Sequence, residues 1–134
     1  MRIGADYYPE HWEKERWKTD AEMMVKANIK VIRIGEFAWS LYEPEEGKYE
    51  FDWMDEALDF FGKYGIKVVM CTPSATPPKW MIDKYPDILQ NDIHGNPKLF
   101  GTRKHYCFNS ETYREKTKKL NTLIAKRYAK HPAI

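Results

Sequence analysis

Three clusters of polar and aromatic residues invite chemistry, and each follows a short apolar run. The first is Asp6-Tyr7-Tyr8-Pro9. The second is Glu36-Phe37 with Trp39, closing the stretch VIRIGEFAWS (31–40). The third starts at Thr72 and Ser74 and opens into a long segment holding Arg103, His105, Tyr106, Cys107 and Asn109. Carboxylates, hydroxyls and a guanidinium supply hydrogen bonds in several directions. Aromatic rings offer flat apolar faces. Together these suit a sugar, whose C–H face stacks on a ring while its hydroxyls are bonded. Three roles stay open for Glu36: it contacts a ligand, it is a solvated turn residue, or it pairs with Arg33. Phe37 and Trp39 either line a site or close a core. His105 reads as a structural hydrogen-bond partner rather than a base. Cys71, in an apolar run, reads as a small core residue. Cys107 alone is a weak metal signal, because zinc sites take about four ligands.

The elements that must position these residues follow from hydrophobic spacing. RIGADYYP (2–9), IKVIRIG (29–35) and IKVVMCTPS (66–74) read as strands. Val31, Ile32 and Ile34 suit a sheet covered on both faces. Trp17, Ala21, Met24 and Val25 mark one face of a first helix. Met54, Ala57, Leu58 and Phe61 mark a second. Those helices end at Asn28 and Gly65, residue types that tolerate a left-handed cap. A third helix runs from about Glu111 to Lys130, with Leu120, Leu123, Ile124 and Tyr128 inward, and HPAI (131–134) reads as the entry to a fourth strand. The segment from Thr72 to Ser110 is much longer than an ordinary βα loop. It contains TPPKWM (76–81), a short helix with Thr76 as cap and Pro77 in the first turn, and a turn at DIHGNPK (92–98). Its prolines and glycines predict order rather than a linker.

Alternating strands and helices predict a parallel sheet, either a (β/α)8 barrel or a doubly wound sheet. A full barrel needs about 250 residues. The 134 residues here are expected to form one portion of an α/β (β/α)8 TIM barrel, about three βα units cut before strand four. Composition narrows the partners. The chain is 43% hydrophobic and 15% aromatic, with a net charge of +2. With no basic arm and no apolar leader, neither nucleic acid nor a membrane is expected as partner, and the cytoplasm is the expected location.

DYYPEHW, VIRIGEFAWSLYEPEEGKYEFDW, TPSATPPKWM and GTRKHYCFNSETYRE, in this order, resemble the opening of the family 42 glycoside hydrolases, the β-galactosidases. The resemblance spans essentially the whole chain. It implies a (β/α)8 barrel, retaining hydrolysis of β-D-galactosides, no required cofactor and a homo-oligomer, usually a trimer. It assigns Arg103 to substrate binding and makes Cys107 the counterpart of one of four cysteines that hold a structural zinc in some members. It leaves no catalytic carboxylate in this chain, since the acid/base glutamate and the nucleophile come from strands four and seven. Glu36 is then expected to bind substrate beside that pair. Residues 1–134 alone are expected to be inactive. The alternatives are a retaining barrel acting on glucosides or arabinosides, and a non-catalytic sugar-binding half-barrel.

Overall fold

A computed structural model describes residues 3–102 and 104–134. In chain order its main elements are β1 (Ile3–Asp6), α1 (Lys14–Lys26), β2 (Ile29–Ile34), α2 (Trp39–Tyr42), α3 (Asp52–Lys63), β3 (Lys67–Met70), α4 (Lys79–Lys84) and α5 (Glu111–Tyr128). The chain forms two compact units. One holds the residues through Glu36 with Phe51–Cys71 and Arg127–Ile134; the other holds Phe37–Glu50 and Thr72–Lys126.

The first unit is built on a parallel sheet in the order β1-β2-β3. Asp6 pairs with Arg33, Ile32 with Val68, and Ile34 with Met70. Parallel neighbours need crossovers, and the helical stripes supply them. Met54, Ala57, Leu58 and Phe61 are all fully buried on α3. Tyr7 and Phe61 meet edge to face at 5.2 Å, and Trp17 meets Phe60 at 5.8 Å. Asn28 and Gly65 adopt φ of 58° and 71°, as their positions after helices predict. At Gly65 the cap is complete: its N–H reaches Gly62 O at 3.0 Å, and the Ile66 N–H reaches Phe61 O at 3.2 Å.

Three expectations need correction here. The sheet is covered on one face, not two. Ile32, Ile34 and Val68 are buried, whereas Val31 and Arg33 are partly exposed and Val69 is 51% exposed. Strand side chains alternate faces, and the helices pack on only one. On α1, Val25 is exposed and Asp20 is buried instead. Asp20 tolerates burial because it accepts from the Tyr7 hydroxyl at 3.0 Å and from Arg16 Nε at 2.7 Å. HPAI forms no strand, although the Val68 N–H donates to Ala133 O at 2.8 Å, so the free edge of β3 has begun a further pairing.

The second unit contains the long connection, and it is ordered by backbone bonds. Gln90 N–H donates to His105 O and Cys107 N–H to Ile88 O, both at 2.7 Å. Trp39, Tyr42, Met81, Ile88 and Leu120 are fully buried in its core. Glu43 is buried with them. Its carboxylate accepts from Trp39 Nε1 at 3.0 Å and from the Gly47 N–H at 2.9 Å. Thr76 does not cap the TPPKWM helix. It closes a 3-10 turn at Pro73–Ala75, and α4 starts two residues beyond Pro77, with Pro78 as the residue before it. Neither Pro77 nor Pro78 has an N–H to give to a cap, so the helix begins where donors resume. Among the described residues no helix is long and apolar enough to cross a membrane.

Candidate functional site

The carboxyl ends of the three strands converge on one guanidinium. Arg33 is the single charged residue in the strand Ile29–Ile34 besides Lys30, and its side chain lies on the open face of the sheet. Register puts Asp6 directly across from it. Close approach of β1 to β2 at this point requires Gly4, since a Cβ there would stand 2.9 Å from Val31 O. Arg33 Nε donates to Asp6 Oδ1 at 2.7 Å and Nη2 to Asp6 Oδ2 at 3.0 Å, a two-point grip. After β2 the chain turns at Gly35, with φ of 86°. The turn brings Glu36 back onto the same guanidinium, with Oε2 at 2.8 Å from Nη2. Nη1 faces Cys71 Sγ at 3.7 Å from the end of β3. Two carboxylates around one cation leave the group one negative charge in excess. A cleft of about 310 Å³ adjoins it, lined by Gly4, Ala5, Asp6, Val31 and Arg33.

The charges shape one another. The hydrogen bonds from Arg33 hold the Asp6 carboxyl below its usual range. The same bonds raise the Arg33 guanidinium still further above neutrality. Burial first, and the nearby Asp6 and Glu36 charges second, raise the Tyr8 phenol. Burial raises the Cys71 thiol, partly offset by Arg33. Asp6 and Glu36 share one nitrogen, so they are near enough to raise the question of a retaining pair of carboxylates. A general acid needs a raised pKa and Asp6 is pulled the other way, so Asp6 does not suit the acid role. Cys71 is therefore more than the plain core residue its apolar run suggests. The pairing with Arg33 that the sequence left open for Glu36 is present, and it leaves Glu36 Oε1 out of that bond.

Arg103 lies outside the described residues. Ser74 belongs to the second unit, where its carbonyl accepts from the Tyr113 hydroxyl at 2.8 Å. Trp39 and Tyr7 are buried core residues, while Phe37 is 42% exposed. His105 is buried, and its Nδ1 donates to Thr102 O at 2.8 Å, a structural bond. Tyr106 stacks on Tyr113 at 4.7 Å. Cys107 is half-buried and free of any disulfide. Among the described residues no three metal-ligating side chains converge, and Cys107 alone supplies at most one zinc ligand. Arg33 itself is the residue that sequence reasoning undervalued. An arginine between two buried isoleucines, three residues before a glutamate, was the available signal.

Known proteins resemble this chain in sequence and fold. The glycoside hydrolase family 42 model, described as Beta-galactosidase, matches residues 6–134. The chain is 48% identical over 134 residues to the β-galactosidase BgaH of Haloferax lucentense, covering 100% of this chain and 20% of that protein. It is 52% identical over 132 residues to a β-galactosidase of Thermus thermophilus, covering 98% of this chain and 20% of that protein. It superposes on the β-galactosidase structure from Halorubrum lacusprofundi with a TM-score of 0.95 at 45% identity, over 100% of this chain and 20% of the other. The chain thus spans about a fifth of the length of the curated relatives it matches. Its three parallel strands and their helices are the opening βα units of the (β/α)8 barrel class, and the chain belongs to glycoside hydrolase family 42.

Proposed function

We propose that the protein carrying this chain is a retaining β-galactosidase, hydrolysing terminal β-D-galactosides. The observation that carries this reading is family membership along nearly the whole chain, with relatives at 48% and 52% identity that bear that name. The chemistry needs an acid to protonate the leaving oxygen and a nucleophile at the anomeric carbon. The family 42 resemblance assigns both roles to later strands, beyond this chain. The part played here is binding. Glu36, held at Oε2 by Arg33, accepts from a sugar hydroxyl at Oε1. Arg103 donates to the galactose, as the resemblance assigns. No cofactor is required for this chemistry; a structural zinc in the longer protein would take Cys107 as one ligand.

The same reading makes the protein a cytoplasmic homotrimer with no nucleic-acid or membrane partner. The near-balanced charge of +2 supports the absence of nucleic acid, and the resemblance supports the trimer. The test is hydrolysis of an aryl β-D-galactoside by the intact protein, with the product anomer followed by NMR from the first turnovers. Release of β-galactose supports the reading. Faster turnover of the matching glucoside or arabinoside redirects it to another specificity, and first-formed α-galactose rejects retention. Mass photometry of the same preparation checks the trimer.

A further inference from the structure

We propose that Asp6 is a positioning residue for Glu36, acting through Arg33; this rests on the galactosidase reading above. Asp6 does not need to touch substrate to matter. Both of its oxygens are committed to Arg33, at 2.7 Å to Nε and 3.0 Å to Nη2. An arginine side chain has many rotamers, and two parallel bonds fix the plane of its guanidinium. Nη2 of the guanidinium so fixed is the atom ion-paired with Glu36 Oε2 at 2.8 Å. The remaining neighbour, Cys71 Sγ at 3.7 Å from Nη1, is too weak a contact to set the plane by itself.

Asp6 also decides what Glu36 is free to do. With Asp6 ionised, the Nε edge of Arg33 is occupied and Glu36 is held through one oxygen. Its other oxygen keeps its lone pairs for a hydroxyl of a bound sugar, and the excess negative charge stays on this group. With Asp6 neutralised, the freed Nε–Nη2 fork matches the spacing of a carboxylate. Glu36 then becomes the two-point partner of Arg33, and the pair closes as a neutral unit. Asp6 thereby keeps Glu36 an acceptor for substrate. The burial-raised Tyr8 phenol and Cys71 thiol also face this group, and both are neutral when Asp6 and Glu36 are ionised.

The experiment is a double-mutant cycle in the intact protein, with Asp6→Asn, Glu36→Gln and the double variant assayed on an aryl β-D-galactoside and melted in parallel. Asp6→Asn should lower kcat/KM by about tenfold, mostly through KM, with a melting temperature close to that of the wild type. The double variant should match Glu36→Gln alone within about twofold, because Asp6 has nothing left to position. Multiplying losses overturn the proposal, as does an Asp6→Asn variant within about twofold of the wild type. If Asp6→Asn does not fold, Asp6→Glu keeps the charge and shifts the grip by one methylene. It should still raise KM, and an unchanged KM overturns the proposal. A wild type that turns over no galactoside is a separate outcome: it removes the galactosidase reading and this inference with it.

Discussion

The molecule contains two ion clusters of opposite composition. At the strand ends of the first unit, one cation serves two anions: Arg33 holds Asp6 and Glu36. In the second unit, one anion serves two cations: Glu46 holds Lys84 and Lys116 and accepts from the Tyr85 hydroxyl at 2.8 Å. The Glu46 cluster ties the turn after α2 to α4 and α5, and its carboxylate is engaged at both oxygens. Among the described residues, the Arg33 ion pair leaves Glu36 Oε1 unused, and the cluster sits where parallel strands present ligands. A charged cluster whose central group is saturated by its own fold fastens that fold. One with unspent lone pairs at a strand end is a place for a partner.

The largest expected effect lies beneath the first cluster. Phe61 is fully buried, against Tyr7 and Trp17. Phe61→Ala should cost about 3–5 kcal/mol of stability by chemical denaturation of the intact protein. A loss under about 1 kcal/mol would mean that this core does not support the strand ends. Next comes Arg33→Met, which leaves Asp6 and Glu36 facing each other without their cation. Turnover of a galactoside should fall by about a hundredfold or more, with a small change in melting. Lys116→Met should do the reverse, lowering the melting temperature and sparing kcat/KM. Equal effects of the two variants on turnover would erase the distinction between the clusters.

A smaller effect appears in acid. Bonds from Lys116 first, then Lys84 and Tyr85, hold the Glu46 carboxyl at about 2, against an ordinary 4.5. The folded value lies below the unfolded one, so this stabilisation is fully present above about 4.5 and fades as pH falls toward about 2. The melting difference between wild type and Glu46→Gln should therefore shrink across that window. A difference independent of pH would mean that the cluster is not the cause. The smallest effect concerns Cys71. Arg33 partly offsets the burial that raises this thiol, so Arg33→Met should slow Cys71 alkylation at mildly alkaline pH. Peptide mapping by mass spectrometry reads it, and faster alkylation would contradict the contact.

Several features were legible in the residues alone. The apolar stripe of α3 appears in the structure residue for residue, because a 3.6 periodicity with three large apolar side chains and an alanine has one way to bury them. Asn28 and Gly65 end their helices as expected, since few residue types accept positive φ. Where local rules competed with contacts distant in sequence, they lost. Val25 matched the stripe of α1 but is exposed, while Asp20 is buried through bonds to Tyr7 and Arg16. Thr76 resembled a cap, yet two prolines after it deny the donors a cap needs.

By itself, the order of residues determined the alternation of strands and helices, the ends of the helices and the placement of polar residues at strand ends. Each is a property of neighbours within a few positions, where propensity and periodicity act. Only the tertiary structure decided that Arg33, rather than Glu36, is the hub, because Asp6, Arg33 and Cys71 meet across three strands through register. It also decided that the sheet is packed on one face and open on the other. Alternation along a strand divides its side chains between two faces, but only the packing of helices selects which face is covered.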